Sequence, residues 1–368
     1  MRKSFSLIAM VISIILGSIN LQAEDLDSTL SRLTEDVAKS YVDPIVSGFG
    51  ANLNSGWVHR VAKAKVMGLD LEIGVVAMGA FFKDENKSFN KKSKFSYDRK
   101  QAAELTNFVY SHPTFSNLNQ DQKQEIQDSL IAKLIRQDFS VEISGPTIIG
   151  RENDSVRVHF GGENININTL GYSGTVDVPS QTTALPVVGL LDELPVLPMF
   201  TPQINIGTIY GTQMAFRFLP SITMGELGKL NYFGFGIQHN PGMWLPQSIP
   251  LNVSLGFFTQ KLKIGSISKT RANQIGLFVS KTFGPGLANV TPYGGLSYES
   301  SSMTVSYNFN TTNAMGQNIS VPISFELQSA NSVKLTLGAA FKLSVFNLNI
   351  DYNIAKYNTA SAGVGFIF

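Results

Sequence analysis

One group of side chains suited to polar chemistry lies near the carboxyl end of the chain. Asn347, Asn349, Asp351 and Asn353 alternate with apolar residues, so an extended strand would place all four on one face. Carboxamides and a carboxylate in such a row can hydrate a lumen or hydrogen-bond a solute. We expect these four residues to form part of the lumen wall of a β-barrel.

A second group lies near the amino end, where residues 48–57 read G-F-G-A-N-L-N-S-G-W. Backbone this rich in glycine and asparagine cannot face lipid and must be solvated or buried inside protein. We expect Phe49, Asn52, Asn54 and Trp57 to belong to a plug inside the barrel. Residues 24–45, which precede this run, have the apolar stripe of an amphipathic helix. That helix either packs on the barrel mouth or its periplasmic rim, or forms part of the plug.

Sequence motifs for catalysis or metal binding are sparse. The four histidines, His59, His112, His159 and His239, are widely spaced, and neither H-E-x-x-H nor G-x-S-x-G occurs. The chain has no cysteine, which excludes a thiolate metal site and a cysteine nucleophile. We therefore predict no enzyme activity, no catalytic or metal-binding residue and no cofactor. A hydrolase that assembles Ser, His and Asp from distant loops is the less favoured alternative.

The first 23 residues have the pattern of a cleavable secretory signal, with Ala23 before the expected cleavage site. Arg2 and Lys3 would be removed with it, so the formal charge of +2 falls to zero. A neutral chain has no electrostatic basis for binding nucleic acid. We expect export to the bacterial outer membrane.

Alternating apolar and polar residues recur through the second half of the chain. Only 15% of residues are charged and 32 are glycine, as expected for strands between lipid and a polar lumen. We predict an all-β fold, a closed antiparallel transmembrane β-barrel of about twelve strands, with a range of roughly ten to fourteen. The clearest predicted strands cover residues 69–82, 210–218, 251–263, 274–283, 290–298, 332–343 and 346–354.

Three further segments lead to more specific predictions. Residues 303–310 and 321–328 should form a hairpin extension beyond the membrane. Residues 141–149 and 155–160 should be two more strands. Residues 161–200, rich in proline, should form a long loop that narrows the lumen with apolar side chains.

The last predicted strand, residues 358–368, has Val364, Phe366 and Phe368 on its apolar face. This pattern is typical of the closing strand of an outer-membrane barrel, and we expect the barrel assembly machinery to recognise it.

Residues 84–139 interrupt the strand pattern and contain two helix-like stretches, the second at 120–135, so we predict a helical insertion in an early loop. Five lysines lie between Lys83 and Lys94. They either pair with phosphates of lipopolysaccharide in the outer-membrane lipid or carry ordinary solvated loop charge.

Several of these stretches together resemble a known family. Residues 41–57, 210–220, 233–246 and 357–368 look like an uncharacterised family of bacterial outer-membrane β-barrel proteins, whereas residues 84–139 do not match it. A helical segment before a barrel is also distantly similar to the long-chain fatty-acid transporter (FadL-like) barrels. The first resemblance implies the fold, and the second is an analogy of fold alone.

The sequence therefore predicts a signal peptide at residues 1–23, a helix and plug-like segment at 24–66, and a barrel at 67–368. The favoured function is passive transport of a small hydrophobic solute, the expected small-molecule partner, through the plugged lumen. The alternative is a non-transporting structural or adhesion barrel that acts through its extracellular loops.

Overall fold

The computed structural model describes residues 35–95, 99–111, 115–137, 139–169, 172–178, 180–223, 228–245, 250–312 and 318–368. These residues form two compact units. The first contains residues 35–87, 147–152 and 189–368, and the second contains residues 88–146 and 153–188. The predicted signal peptide and the first part of the predicted amphipathic helix lie outside the described residues.

The helices are α1 (Glu35–Leu53), α2 (Arg99–Thr106) and α3 (Gln120–Arg136), with short 3-10 turns at Asp84–Asn86, Asn107–Tyr110 and Pro241–Trp244. The strands are β1 (Met67–Phe81), β2 (Ser88–Phe95), β3 (Phe139–Pro146), β4 (Val156–Phe160), β5 (Glu163–Thr169), β6 (Tyr172–Val178), β7 (Gln181–Leu185), β8 (Val196–Ile209), β9 (Thr212–Thr223), β10 (Lys229–His239), β11 (Asn252–Ile264), β12 (Ser268–Ser280), β13 (Ala288–Thr312), β14 (Asn318–Gln328), β15 (Val333–Leu343), β16 (Phe346–Ile354) and β17 (Thr359–Ile367). Among the described residues, no helix is long and apolar enough to cross a membrane.

The first unit contains a closed antiparallel barrel. Its strands follow the order β1, β8, β9, β10, β11, β12, β13, β15, β16 and β17, and β17 pairs with β1 to close the ring. The predicted closed antiparallel barrel is confirmed. Ten strands form it, at the lower limit of the predicted range.

Each barrel strand has one apolar face outside and one largely polar face inside. In β16, Phe346, Ile350 and Tyr352 are exposed on the outer surface, whereas Asn349 and Asp351 are buried in the lumen. The alternation follows from the pleat, which turns successive side chains to opposite faces of the sheet. The outer surface is therefore apolar around the middle of the ring.

The strand β13 is longer than the barrel wall. Its first part pairs with β15 inside the ring, whereas residues 302–312 pair with β14 instead. The predicted hairpin extension of the wall is thus present.

The prediction of a long lumen loop at residues 161–200 is wrong. Strands β5, β6 and β7 lie in the second unit, and residues 196–200 begin the barrel strand β8. Pro198 and Pro202 argued against a strand, yet both are outward-facing residues of β8, opposite Gly79 and Val75 of β1. The apolar Leu197 and Met199 face the lumen as part of the wall.

The helix α1 continues to Leu53, eight residues beyond the predicted end at residue 45. Glycine permits this continuation because the helix touches the wall there. A Cβ atom on Gly50 would lie 2.0 Å from Ser301 Oγ, and one on Gly48 would lie 2.9 Å from Phe82 Cζ. These glycines allow close packing instead of ending the helix.

The second unit has its own sheet, helices and core. Strands β2, β3, β4 and β7 form a four-stranded sheet, and β5 pairs with β6. The strands predicted at 141–149 and 155–160 exist as β3 and β4, but they belong to this sheet and not to the barrel. The helix predicted at 120–135 is α3, which begins at a capping box formed by Asn119 and Gln122. The unit thus extends beyond the helical insertion predicted at 84–139. Its buried core consists of Ala102, Val109, Phe115, Ile126, Leu130, Ile131, Leu134 and Phe139.

Candidate functional site

The carboxyl-terminal end of α1 and the chain that follows it to residue 62 lie in the lumen of the barrel. Asn52 Nδ2 donates a hydrogen bond to the carbonyl oxygen of Leu197 on β8, at 2.7 Å. The hydroxyl oxygens of Ser55 and Thr359 on β17 lie 2.6 Å apart. We call residues 35–62 the lumen segment. It touches strands from several sides of the ring.

The extended part of the lumen segment is held through its backbone. Five side chains of the first unit donate hydrogen bonds to its carbonyl groups. The donors and acceptors are Arg217 to Leu53 and Ser55, Lys334 to Asn54, Gln203 to Trp57, Gln238 to Arg60, and Asn240 to Ala62. Extended chain inside a barrel has no partner strand, so these side chains replace the backbone hydrogen bonds that a partner strand would make.

Arg217 on β9 makes the largest number of these contacts. Its guanidinium is fully buried, donates to Gln203 Oε1 at 2.8 Å and to the Ser55 carbonyl at 2.8 Å, and lies 4.0 Å from the centre of the Trp57 ring. Such a stack combines the planar cation with the negative face of the indole. The sequence predicted Trp57 as a plug residue but did not single out Arg217. Its only signal was an arginine on the lumen face of a strand.

The other predicted plug residues have distinct surroundings. Asn54 Oδ1 accepts a hydrogen bond from Gln260 Nε2 at 3.2 Å. Phe49 packs with Leu53 against apolar lumen residues. That apolar cluster consists of Val76, Met78, Met199, Phe200, Leu219, Leu230, Tyr232, Leu262 and Ala272, with Leu53.

A buried carboxylate lies beside His59 and Arg60, near the end of the lumen segment. Glu72 of β1 is 1% exposed, and its Oε1 lies 2.9 Å from His59 Nδ1 and 2.9 Å from Asn347 Nδ2. Its Oε2 accepts from Asn205 Nδ2 at 3.2 Å and lies 3.6 Å from Arg60 Nε. Asn347, predicted as lumen wall, thus takes part in the site that holds His59.

The remaining predicted wall residues form a separate group on β16. Asp351 accepts hydrogen bonds from Tyr293 at 3.1 Å, Ser361 at 2.7 Å and Asn353 at 2.7 Å. Asn349 is fully buried and lies where a Cβ on Gly363 would clash, 2.3 Å from its Oδ1. All four predicted residues therefore face the lumen, and their role in handling a solute stays a prediction.

A buried ion pair completes the lumen site. Lys334 Nζ lies 3.0 Å from Glu299 Oε2, with both side chains almost fully buried. Nearby, a cavity of about 10 Å³ touches Trp57, Lys334 and Asp351, enough space for one water molecule. Gly56 lines this cavity with φ at +64°, and a Cβ there would lie 2.7 Å from Val76 Cγ1, so only glycine fits without strain.

Each of the three histidines that the structure describes has different partners. His59 contacts Glu72, His159 contacts Thr182 in the second unit, and His239 contacts Thr212 and Trp244. His112 lies outside the described residues. Within the described parts of the chain, no three His, Cys, Asp or Glu side chains lie close enough to bind a metal ion.

The predicted closing residues lie on the outer surface. Val364, Phe366 and Phe368 are 45%, 50% and 69% exposed, and β17 joins β1 in register from Glu72 to Ala80. Recognition of these residues by the assembly machinery stays a prediction.

The ten-stranded ring, the apolar exterior and the filled polar lumen define a barrel of the outer-membrane type with an internal amino-terminal segment. The chain matches over residues 1–368 the model of a family of unknown function, DUF6588, and it belongs to that family. The predicted membership of a family without an assigned activity is therefore confirmed. The match includes residues 84–139, so the prediction that this stretch lies outside the family is wrong.

Solved structures of outer-membrane proteins resemble the chain only loosely. The loop L8 deletion mutant of OmpT from Vibrio cholerae is 8% identical, with 82% of this chain and 100% of that chain covered and a TM-score of 0.22. The β domain of the Bordetella autotransporter BrkA is 8% identical, with 81% and 99% covered and a TM-score of 0.20. An anion-selective porin from Comamonas acidovorans is 11% identical, with 82% and 99% covered and a TM-score of 0.17.

Superpositions this loose carry no argument about function, and the fold assignment rests on the strand pairing itself. Comparison with curated proteins found no match. The distant resemblance to the fatty-acid transporters stays a prediction.

Proposed function

We propose that this protein is a bacterial outer-membrane barrel that takes up a small hydrophobic solute when its lumen segment moves. The apolar exterior supports the membrane location. Ile73, Phe218, Phe257, Leu337 and Ile350, from five strands, are between 44% and 58% exposed. A surface with such a belt would be poorly soluble in water, whereas hydrocarbon accommodates it.

The two rims of the barrel support one orientation. Two-residue turns join β8 to β9 and β15 to β16 at one rim, which we call the short-turn rim. At the opposite rim, the long-loop rim, the chain leaves β1 and returns to the ring at β8. Outer-membrane barrels have short periplasmic turns and longer extracellular loops. In this proposal the long-loop rim therefore faces the cell exterior.

The observation that carries the transport proposal is the apolar cluster around Leu53. It lies in the part of the lumen towards the long-loop rim, where Met78, Met199, Leu219 and Leu262 come from four different strands. A hydrophobic solute that enters from outside would partition into such surroundings. The lumen segment then blocks the lumen between this cluster and the short-turn rim.

Displacement of the lumen segment is energetically accessible in this proposal. Its extended part is held by side-chain hydrogen bonds to backbone carbonyls, each worth about 1 kcal/mol net because water can replace the donor. The cavity near Asp351 offers water a first position. Movement of residues 54–62 would open a path without breaking any strand pair of the ring.

A disulfide lock tests the proposal. The chain has no cysteine, and the 2.6 Å between Ser55 Oγ and Thr359 Oγ1 suits a disulfide between Ser55→Cys and Thr359→Cys. Cells of a Gram-negative host expressing the protein are exposed to N-phenyl-1-naphthylamine, a hydrophobic fluorescent probe, before and after reduction. We expect uptake at the level of cells without the protein when the lock is oxidised, and recovery when it is reduced.

The two single-cysteine variants are the matched controls and should take up the probe in both conditions. Equal uptake by the oxidised and reduced forms, above the level of cells without the protein, would contradict a moving segment. Uptake no higher than that of cells without the protein in any form would favour the alternative, a closed structural or adhesion barrel. The separately packed second unit, with its own core, is the observation that favours this alternative.

A further inference from the structure

Five cations lie together on the outer surface of three neighbouring strands. Lys229 on β10, Lys261 and Lys263 on β11, and Lys269 and Arg271 on β12 all have exposed, outward-facing side chains. We call them the basic patch. They lie at the ends of their strands that reach the long-loop rim.

The pairing register brings like charges face to face within this patch. Lys261 is directly opposite Arg271, and Lys263 is directly opposite Lys269. Side chains in such positions have Cβ atoms about 5 Å apart, and like charges there destabilise the sheet. The arrangement is unfavourable unless an anion lies between the pairs.

The described residues provide little compensation for these charges. Among the described residues, none of the five cations forms an ion pair with a carboxylate. On the adjoining outer surface, Glu326 of β14 is opposite Thr304, which is itself opposite Lys269. The backbones of Glu326 and Lys269 are two strand spacings apart, roughly 10 Å, and their side chains form no ion pair in the described structure.

The surroundings of the basic patch indicate what supplies the anion. Phe233 is opposite Lys261, and Phe257 and Ile275 follow towards the middle of the barrel, at 54%, 44% and 56% exposure. Phe233 lies level with Lys261, whereas Phe257 and Ile275 meet hydrocarbon in a membrane, so the cations nearer the rim lie at the level of the lipid headgroups. At the other end of the same strands, the outward Leu255 and Leu277 are apolar. The five cations of the basic patch therefore lie together at one leaflet, although an exposed lysine, Lys281, follows β12 at the other end.

We propose that the basic patch binds the phosphorylated glucosamine headgroup of lipopolysaccharide. The inference rests on the proposed function, because it requires the barrel to lie in an outer membrane with the long-loop rim outward. Arg271 offers a planar fork for phosphate oxygens and the lysines offer point charges. Ser302 and Thr304, directly opposite Arg271 and Lys269, place hydroxyl groups where sugar and phosphate oxygens would lie.

The first test measures lipid binding to the full-length protein in detergent by native mass spectrometry. Bisphosphorylated lipid A and dephosphorylated lipid A are compared, with inorganic phosphate as competitor. The Lys261→Gln/Arg271→Gln variant should bind bisphosphorylated lipid A roughly 25-fold more weakly, about fivefold for each cation. The matched control, Arg99→Gln/Lys100→Gln, removes an exposed arginine and an exposed lysine of α2 and should bind as the unmodified protein does.

A second variant distinguishes binding from a failure to fold. Lys261→Glu places a carboxylate opposite Arg271, so the detergent-solubilised barrel should unfold at a higher temperature without lipid. Lipid A should then stabilise this variant less than it stabilises the unmodified protein.

Three results would overturn the inference: equal binding of lipid A by the Lys261→Gln/Arg271→Gln variant, equally tight binding of dephosphorylated lipid A, or displacement of the lipid by millimolar inorganic phosphate. A barrel that inserts into lipid bilayers but shows any of these results disproves the basic patch alone. A protein that does not insert disproves the proposed function as well.

Discussion

The two parts of the lumen segment are held in the barrel by different means. The helical part, α1, pairs most of its backbone within the helix and packs Phe49 and Leu53 into an apolar cluster, with one hydrogen bond from Asn52 to the wall. The extended part has no partner strand, and its carbonyl groups accept hydrogen bonds from Arg217, Lys334 and other side chains of the first unit. Apolar packing is non-directional, whereas hydrogen bonds require defined geometry. The extended part therefore sets the position of the segment, and the helical part mainly adds stability.

Arg217→Met should have the largest effect, because it removes a donor to two backbone carbonyl groups and to the Gln203 side chain, together with the stack on Trp57. We expect a loss of about 4 kcal/mol in the free energy of unfolding, since unpartnered buried acceptors cost about 1–3 kcal/mol each. The lumen segment should also become sensitive to protease. Denaturant unfolding and limited proteolysis with amino-terminal sequencing of the fragments measure the two effects.

Arg157→Met is the matched control, since Arg157 is a largely exposed arginine of the second unit, and it should change neither quantity noticeably. If Arg217→Met left the segment protected from protease, the extended part would not depend on these contacts and the comparison would fail.

Leu53→Ala should come next and sharpen the distinction. Leu53 is fully buried, and truncation of such a residue costs about 3 kcal/mol through lost burial and a cavity. Because the carbonyl contacts remain, we expect lower stability with unchanged protection of residues 54–62. Hydrogen exchange of those residues is the measurement. Leu287→Ala, at a position 74% exposed, is the control. A loss of protection equal to that of Arg217→Met would show that the apolar cluster also sets the position.

The smallest expected effect concerns solvated charges at the long-loop rim, which contrast with the buried ones. Hydrogen bonding to Lys87 lowers the pKa of Asp84, and hydrogen bonding to Arg151 lowers the pKa of Glu193. A carboxyl group whose pKa is depressed in the folded state stabilises the protein above its unfolded pKa, about 4 for these residues. That stabilisation is lost as the pH falls through the lower folded values.

Thermal unfolding between about pH 6 and pH 2 should therefore show only a slight decrease assignable to these groups, because exposed pairs contribute little. The double variant Asp84→Asn/Glu193→Gln should remove that decrease. A large decrease that the variant abolishes would show that the solvated rim contributes as much as the lumen contacts.

The sequence predicts a strand best where apolar and polar residues alternate strictly along it. In β16 a strict alternation of apolar and amide residues predicts both the strand and its faces. In β5, E-N-I-N-I-N-T alternates just as well, yet it pairs within the second unit. An alternating pattern indicates that one face of a strand is buried, but it does not identify the sheet to which the strand belongs. The loop predicted at 161–200 was wrong for this reason, together with the prolines of β8.

The candidate site was predictable only in its composition. Amides on the lumen face and a Gly- and Asn-rich amino-terminal run indicated a polar lumen and a buried segment. The hydrogen bonds from Arg217 to backbone carbonyls could not be predicted from the sequence, because a carbonyl group is present at every residue and carries no sequence signal. Likewise, Glu72 and His59 are 13 residues apart and meet only because the segment turns back into the barrel.

The sequence alone determined the period-two alternation, and with it an all-β barrel with an apolar outside and a polar inside. Side-chain direction along a strand is a local property, so local sequence suffices for it. Only the tertiary structure decided that ten strands close the ring, that the end of α1 and the chain to residue 62 lie in its lumen, and that five cations meet on one surface. Those features depend on register and on contacts between residues far apart in the chain, which strand pairing creates.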